Sequence, residues 1–372
     1  MAPSLAERLR RRIRREGPIS FADFMEAALY DPEEGYYSGG AAIGEGGDFV
    51  TSPAISPAFA RTIARVFATD AEDLFRWPGR PSRPSLVPEG EAEVLDFVEV
   101  GAGEGSFLAD FAEALRRESP SVAERTRLLA IERGRAGRER LAGRGIEVFP
   151  ELSEGSVRGW IFANELYDAL PVARLRGSEA GLEELRVGLD DDRLTWTAVA
   201  APREWKDHLA RFGVSLEPGQ IAEVCPGAAE LHRRLARALS YGRLVLFDYG
   251  HRARTLYHPL ARRGGTLAVH RAGRRGGDPL DRIGEQDLTA HVNWDELLAV
   301  GEQEGLRSEG PIRQGRFLTG AGIFDFAGSE AEKWRIYRLV DPGGMGEEIS
   351  VLVQSRGMRP LEFGFCRSSS EF

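Results

Sequence analysis

An α/β fold built on a mostly parallel sheet is what this sequence predicts, and three observations carry the prediction. The apolar run Val94-Leu95-Asp96-Phe97-Val98-Glu99-Val100 passes directly into Gly101-Ala102-Gly103-Glu104-Gly105 and then into a helical pattern over Phe107–Arg117. Strand and helix signals then alternate: strand 94–100, helix 106–117, strand 127–131, helix 135–142, strand 159–163, which is the signature of right-handed βαβ crossovers. Polar residues gather where the apolar runs stop, namely Glu132, then Asn164, Glu165 and Asp168, then Asp248. Open parallel sheets bind ligands at the carboxyl ends of their strands.

The flanking elements follow in order. Leu5, Leu9 and Ile13 share one helical face among arginines, which predicts a docked surface helix. Ser20 caps a second helix that Asp31-Pro32 stops. A glycine-rich loop, 33–51, leads to a helix from Pro57, with Ser56 as its cap. The stretch 78–91 is rich in Pro, Gly, Ser and charge and reads as a connector. Beyond the first βα units, the runs 172–176, 183–188 and 193–199 form an antiparallel meander. A helix over 227–239 and an apolar strand over 244–247 return to the βα theme. Residues 262–292 read as a long irregular loop, and 349–354 as a last strand.

Bulk properties exclude several classes. With 372 residues and 42% hydrophobic content the chain fills one large domain or two ordinary ones. A formal charge of -9 argues against a nucleic-acid partner. No apolar run is long enough to span a membrane, so no membrane partner is expected. The two cysteines, Cys225 and Cys366, exclude a disulfide scaffold and a cysteine zinc site, and they suit a reducing cytoplasm. Clustered His and Cys are missing, so no metal is expected.

The glycine turn sets the chemistry. A Gly-rich strand-to-helix turn presents backbone N–H groups and a helix N-terminus to a nucleotide-like ligand. A dinucleotide fingerprint places its third glycine one residue later than Gly105. Glu99, at the strand's carboxyl end, attracts a ligand ammonium and repels a pyrophosphate. Gly101, Gly103 and Gly105 after an acid therefore suit S-adenosylmethionine better than NAD. Glu132, ending the second strand, is placed to hold ribose hydroxyls. Asn164, Glu165 and Asp168 point toward the same strand-end crevice, and His291 is read as either a structural histidine or a proton acceptor.

These segments together resemble the MidA family of S-adenosylmethionine-dependent methyltransferases. The resemblance rests on Ile19-Ser20-Phe21-Ala22-Asp23-Phe24-Met25, Tyr30-Asp31-Pro32-Glu33-Glu34-Gly35-Tyr36-Tyr37, Gly47-Asp48-Phe49-Val50-Thr51-Ser52-Pro53 and the Glu99–Gly105 turn. It continues through Ala163-Asn164-Glu165-Leu166-Tyr167-Asp168-Ala169-Leu170-Pro171-Val172, Asp248-Tyr249-Gly250 and Asp287-Leu288-Thr289-Ala290-His291-Val292. The family's usual Pro-Glu-Ile-Ser is here Pro53-Ala54-Ile55-Ser56.

The resemblance implies a class I methyltransferase core: a Rossmann-like, mostly parallel seven-stranded sheet with one antiparallel strand near its end. It also implies an N-terminal helical cap and an inserted segment. The expected organisation is a cap over 1–77, a linker over 78–92, a core over 93–356 with insertions near 172–220 and 255–315, and a tail over 357–372. The cofactor is S-adenosyl-L-methionine, held by Glu99, Gly101, Gly103, Gly105, Glu132 and Asn164. The acceptor implied is a protein arginine, with Glu165, Asp168 and His291 as catalytic residues and a homodimer as the expected assembly. Rival readings are a cofactor-binding assembly factor with little catalysis, and a small-molecule methyltransferase.

Overall fold

The computed structural model describes residues 3–38, 50–76, 94–271 and 273–361; the linker at 78–92 and most of the Gly44–Pro53 loop lie outside the described residues. The chain divides into two compact units. One comprises Thr51–Leu166, Leu231–Asp248 and Leu298–Phe372; the other comprises Met1–Val50, Tyr167–Glu230 and Tyr249–Leu297.

The first of these units holds the predicted parallel sheet. Its strands are β1 (Leu95–Val100), β2 (Thr126–Ile131), β3 (Glu147–Phe149), β4 (Val157–Asn164), β9 (Leu239–His251, down to Asp248), β14 (Arg307–Arg313) and β15 (Ile349–Arg356). Their order is β14-β15-β9-β4-β1-β2-β3. β1 lies parallel to β2 and β4, β2 to β3, and β4 to β9, whereas β14 and β15 run antiparallel. This is the mostly parallel seven-stranded sheet of the class I methyltransferase fold. β1, β2 and β3 step outward to one side and β4 crosses back to the other side of β1, with β9 beyond it, so the ends of β1, β2, β4 and β9 share one edge.

Aromatic side chains make the core beside this sheet. The helix Ser106–Glu118 buries Phe107, Leu108, Phe111, Ala114 and Leu115, a stripe at helical spacing. Phe111 stacks on Phe97 of β1 with ring centroids 3.8 Å apart, and Phe107 stacks on Phe162 of β4 at 4.7 Å. The helix Pro57–Arg76 adds Phe59 and Phe67, both fully buried. Each such ring contributes about 1.5–3 kcal/mol by leaving water. This helix runs on to Arg76 because its apolar stripe continues through Ala71 and Leu74.

The other unit contains the helix Leu5–Glu16, closed by a Ser4–Glu7 capping box and burying Leu5, Leu9 and Ile13, and the helix Phe21–Tyr30, capped by Ser20. A four-stranded antiparallel sheet, ordered β7-β6-β5-β8, follows from β5 (Ala173–Ser178), β6 (Gly181–Asp190), β7 (Arg193–Ala200) and β8 (Ile221–Val224). The 262–292 segment is more ordered than its polar composition suggested. It carries β10 (Ala268–Arg271), β11 (Arg274–Arg275) and β12 (Asp287–Thr289), an antiparallel sheet ordered β11-β10-β12. β13 (Val292–Asn293) pairs with Gly250 and His251 of β9. Short paired strands satisfy their backbone through neighbours, so they need little apolar periodicity, which is why the sequence hid them.

One buried ionic group anchors the parallel-sheet unit. The Asp70 carboxylate accepts from Trp160 Nε1 at 2.8 Å and from Arg243 Nε and Nη2 at 2.7 and 2.8 Å. Arg243 is 1% exposed. Replacing Asp70 by Ala leaves that guanidinium only the Glu309 carboxylate at 3.7 Å and the Arg359 carbonyl at 2.8 Å, and loss of one partner from a buried pair costs about 3–5 kcal/mol. Urea unfolding of Asp70→Ala is expected to show a loss of that size; a change below about 1 kcal/mol refutes the anchoring role.

Candidate active site

The turn after β1 is built as the sequence reading requires, but its glycines serve two different ends. Gly101, Gly103 and Gly105 all have positive φ, at 75°, 53° and 73°. A Cβ on Gly101 would lie 2.7 Å from Leu166 Cδ1, and one on Gly105 would lie 2.7 Å from both Leu141 Cδ2 and Ile146 Cδ1. Those two glycines are small because the protein itself packs on them. A Cβ on Gly103 meets nothing within 4 Å, so Gly103 alone faces space open to a ligand. Gly105 starts the helix Ser106–Glu118 in the left-handed conformation, which leaves the first helical N–H groups without a side-chain cap.

Glu99 is the electrostatic centre of this edge. It is 7% exposed, and its Oε2 has no hydrogen-bond partner among the described residues. Burial, and then the charge of Glu132, raise its pKa from 4.5 to about 8. Glu132 stands at the end of β2, the neighbouring strand, and its Oε1 accepts the Gly134 N–H at 2.9 Å. A buried carboxyl without a partner, beside a second acid, is a site waiting for a cation.

The end of β4 forms a tight polar turn. Asn164 Nδ2 donates to Glu165 Oε1 at 2.9 Å, while Asn164 Oδ1 is buried without a partner among the described residues. Glu165 Oε1 also accepts the Ser52 N–H at 2.9 Å. Glu165 has φ +50°, a left-handed conformation uncommon outside glycine. Its own N–H donates to Phe247 O at 2.8 Å, and the next N–H, of Leu166, donates to Asp248 Oδ2 at 3.1 Å. Strand-end polar clusters at 164–165 and 248 are thus one structure, as their places in the sequence implied. Ser52 was missed, because a backbone donor leaves no mark in a side-chain pattern.

In the other unit, Asp168 and His291 are brought near each other: the Ala290 N–H donates to Asp168 O at 2.8 Å. Asp168 is buried and belongs to a second group that the sequence reading did not assemble. Tyr37 Oη donates to Asp287 Oδ1 at 2.8 Å, Tyr30 Oη donates to Ala169 O at 2.9 Å, and the two tyrosine rings stack at 5.4 Å. Burial, Asp287, Tyr30 and Asp168 together hold the Tyr37 hydroxyl well above its ordinary pKa. The signal was present in the Tyr36-Tyr37 doublet and in Asp287 just ahead of Leu288-Thr289. His291 Nδ1 is buried without a partner among the described residues. Burial, then His251, Arg262 and Arg275, lower its pKa to about 3, so the ring is neutral across the physiological range.

A class I methyltransferase fold with an acid-tipped, glycine-turned β1 defines a class of S-adenosylmethionine-dependent enzymes. The family model described as "Putative S-adenosyl-L-methionine-dependent methyltransferase" matches residues 84–312. The chain belongs to that family, the MidA family, and is an S-adenosylmethionine-dependent methyltransferase. It is 28% identical over 356 residues to "Protein arginine methyltransferase NDUFAF7, mitochondrial" of Xenopus tropicalis, spanning 87% of this chain and 76% of that protein. The Homo sapiens protein of the same name is 26% identical, spanning 84% and 72%. Among solved structures, a "likely methyl transferase" of Burkholderia thailandensis bound to S-adenosyl-homocysteine aligns with a TM-score of 0.84 at 29% identity, covering 98% of this chain and 95% of that one. One expectation is corrected. The cytoplasmic placement fails, because these curated relatives are mitochondrial proteins. Scarce cysteine speaks to redox conditions and not to a single compartment.

The residues present fit the cofactor. The unpartnered Glu99 carboxyl suits its ammonium, Gly103 leaves room for its approach, and Asn164 Oδ1 offers an unused acceptor. The cofactor supplies an electrophilic methyl group on a sulfonium. Glu99 would bind its cationic end, Glu132 its hydroxyls, and the turn's backbone would fix its position.

A proton accompanies that binding. Glu99 takes up a proton on folding between 4.5 and about 8, so its contribution to stability is greatest below 4.5 and falls as pH rises through that window. Thermal unfolding of ligand-free Glu99→Gln should therefore show a gain over the native protein that grows across the same window. Binding a cation ionises Glu99. Calorimetry near neutral pH in two buffers of different ionisation enthalpy should register proton release that vanishes in Glu99→Gln, with affinity weakened about 30-fold or more. Equal proton release in both proteins sinks the assignment.

Proposed function

We propose that the methyl acceptor is an arginine side chain of a protein. The observation that carries this reading is the pair of buried carboxylates, Asp168 and Asp287, 6% and 2% exposed, gathered around Tyr37. Buried acids suit a planar cation, because carboxylates grip a guanidinium bidentately. The relatives named protein arginine methyltransferases support the same acceptor.

Methyl transfer is a displacement at the sulfonium carbon by a nitrogen lone pair, and the protein's part is alignment. Asp168 draws positive charge toward the guanidinium nitrogens that do not react, which leaves the reacting nitrogen richer in electron density. Glu165, which accepts from Ser52 and Asn164, keeps a carboxylate fixed at the end of β4. The His291 ring stays neutral to about pH 3, so it acts as an acceptor for a guanidinium N–H through its unpartnered Nδ1.

Incubation with methyl-labelled S-adenosylmethionine and a lysate of the source organism, followed by hydrolysis of labelled protein, should yield methylarginine. Glu165→Gln keeps an oxygen to accept from Ser52 and Asn164 but loses the charge. It is expected to lower kcat by about 10²-fold or more while cofactor affinity changes by less than about threefold. Label on small molecules alone, or undiminished turnover in Glu165→Gln, overturns the reading.

A further inference from the structure

Arginines are distributed unevenly in this acidic chain. From Tyr249 to Arg275 there are seven arginines and three histidines and no acid, although the net charge of the whole is -9. Arg254, Arg274 and Arg275 are exposed and form no ion pair among the described residues. Arg262 is turned inward onto His251 Nε2, and the His251 ring lies 5.4 Å from that of His291. Arg275 is close enough to both His270 and His291 to repel a proton from each. A basic surface beside a residue assigned to the acceptor is the wrong field for a lone guanidinium, which it repels.

The small sheet resolves the conflict. His270 of β10 pairs with Asp287 of β12 on one side and with Arg275 of β11 on the other. Directly paired antiparallel residues project to the same face. The row Asp287, His270, Arg275 therefore runs from an acidic pole, tied to Tyr37, to a basic pole two strands away. Strands lie about 4.8 Å apart, so the poles are separated by about 10 Å, the reach of about three residues of extended chain.

We propose that this basic pole selects the substrate: it docks an acidic side chain about three residues from the arginine to be methylated. The inference rests on the arginine reading above and adds the sequence context of the acceptor. An acidic protein segment is favoured over a nucleic acid because the overall negative charge repels an extended polyanion, whereas one or two carboxylates feel mainly the local field.

The test uses the full chain, labelled S-adenosylmethionine and three fluorescent extended peptides with one arginine each. They carry Glu, Gln or Lys three residues to either side. The expected result is a KM for the Glu peptide about 10-fold or more below that for the Gln peptide, with the advantage shrinking as salt rises. Anisotropy with S-adenosyl-homocysteine present should give the same order of affinity. Arg274→Glu/Arg275→Glu, whose folding is checked by thermal unfolding, is expected to reverse the order so that the Lys peptide binds best. Equal methylation of all three peptides, or an unchanged preference in the double variant, overturns the proposal and leaves arginine methylation standing. If no peptide is methylated although the cofactor binds, the arginine reading fails, and the anisotropy order then decides the docking surface by itself. Tighter binding to a heparin oligosaccharide or to phosphatidylserine vesicles than to the Glu peptide overturns it in favour of a polyanion.

Discussion

A carboxyl group held inside the protein without a partner is the constraint on which the parallel-sheet unit's chemistry depends. Glu99 sits on β1 between Ala130 of β2 and Phe162 of β4 and is 7% exposed. Folding alone gains nothing from it, and a glutamine or a leucine would pack there at lower cost. We propose that the other half of its interaction arrives with the cofactor. The fold supports it accordingly. The aromatic core under β1 and β4 fixes the strand, and the Gly101–Gly105 turn holds the backbone clear above it.

Rigidity at the neighbouring strand end answers a different need. Glu165 occupies a strained backbone conformation, and hydrogen bonds surround it: its carboxylate takes the Ser52 N–H, Phe247 O takes its own N–H, and Asp248 takes the N–H of Leu166. Leu166 then fills the space that Gly101 leaves empty. The Asn164-Glu165-Leu166 turn and the glycine turn are thus shaped by each other. A substitution at either one disturbs the other, so the two motifs form a single unit although residues 106–163 lie between them in the chain.

Much of this was legible in advance, and the reasons are physical. Strands β1, β2 and β4 announce themselves because burial on both faces demands unbroken apolar runs. The helix Ser106–Glu118 is readable from its Phe107–Phe111 spacing. The strand-end acids could be placed because a parallel sheet gathers its carboxyl ends. What escaped was long-range or backbone-borne. β3, β8 and the β10–β12 strands are only two to four residues long, so their sequences carry little pattern. Ser52 contributes a main-chain N–H. Tyr37 and Asp287 are 250 residues apart, and only the tertiary fold makes them partners.

The placement of charge in the other unit follows the same logic as Glu99 but with the opposite outcome. Asp168 and Asp287 remain buried beside tyrosines, while Arg254, Arg274 and Arg275 are exposed. An acidic interior and a basic rim cannot both be matched by a simple cation or a simple anion. They can be matched by a chain that carries one charge of each sign a few residues apart. That asymmetry is consistent with the peptide acceptor proposed above, since an extended chain readily carries two opposite charges about 10 Å apart.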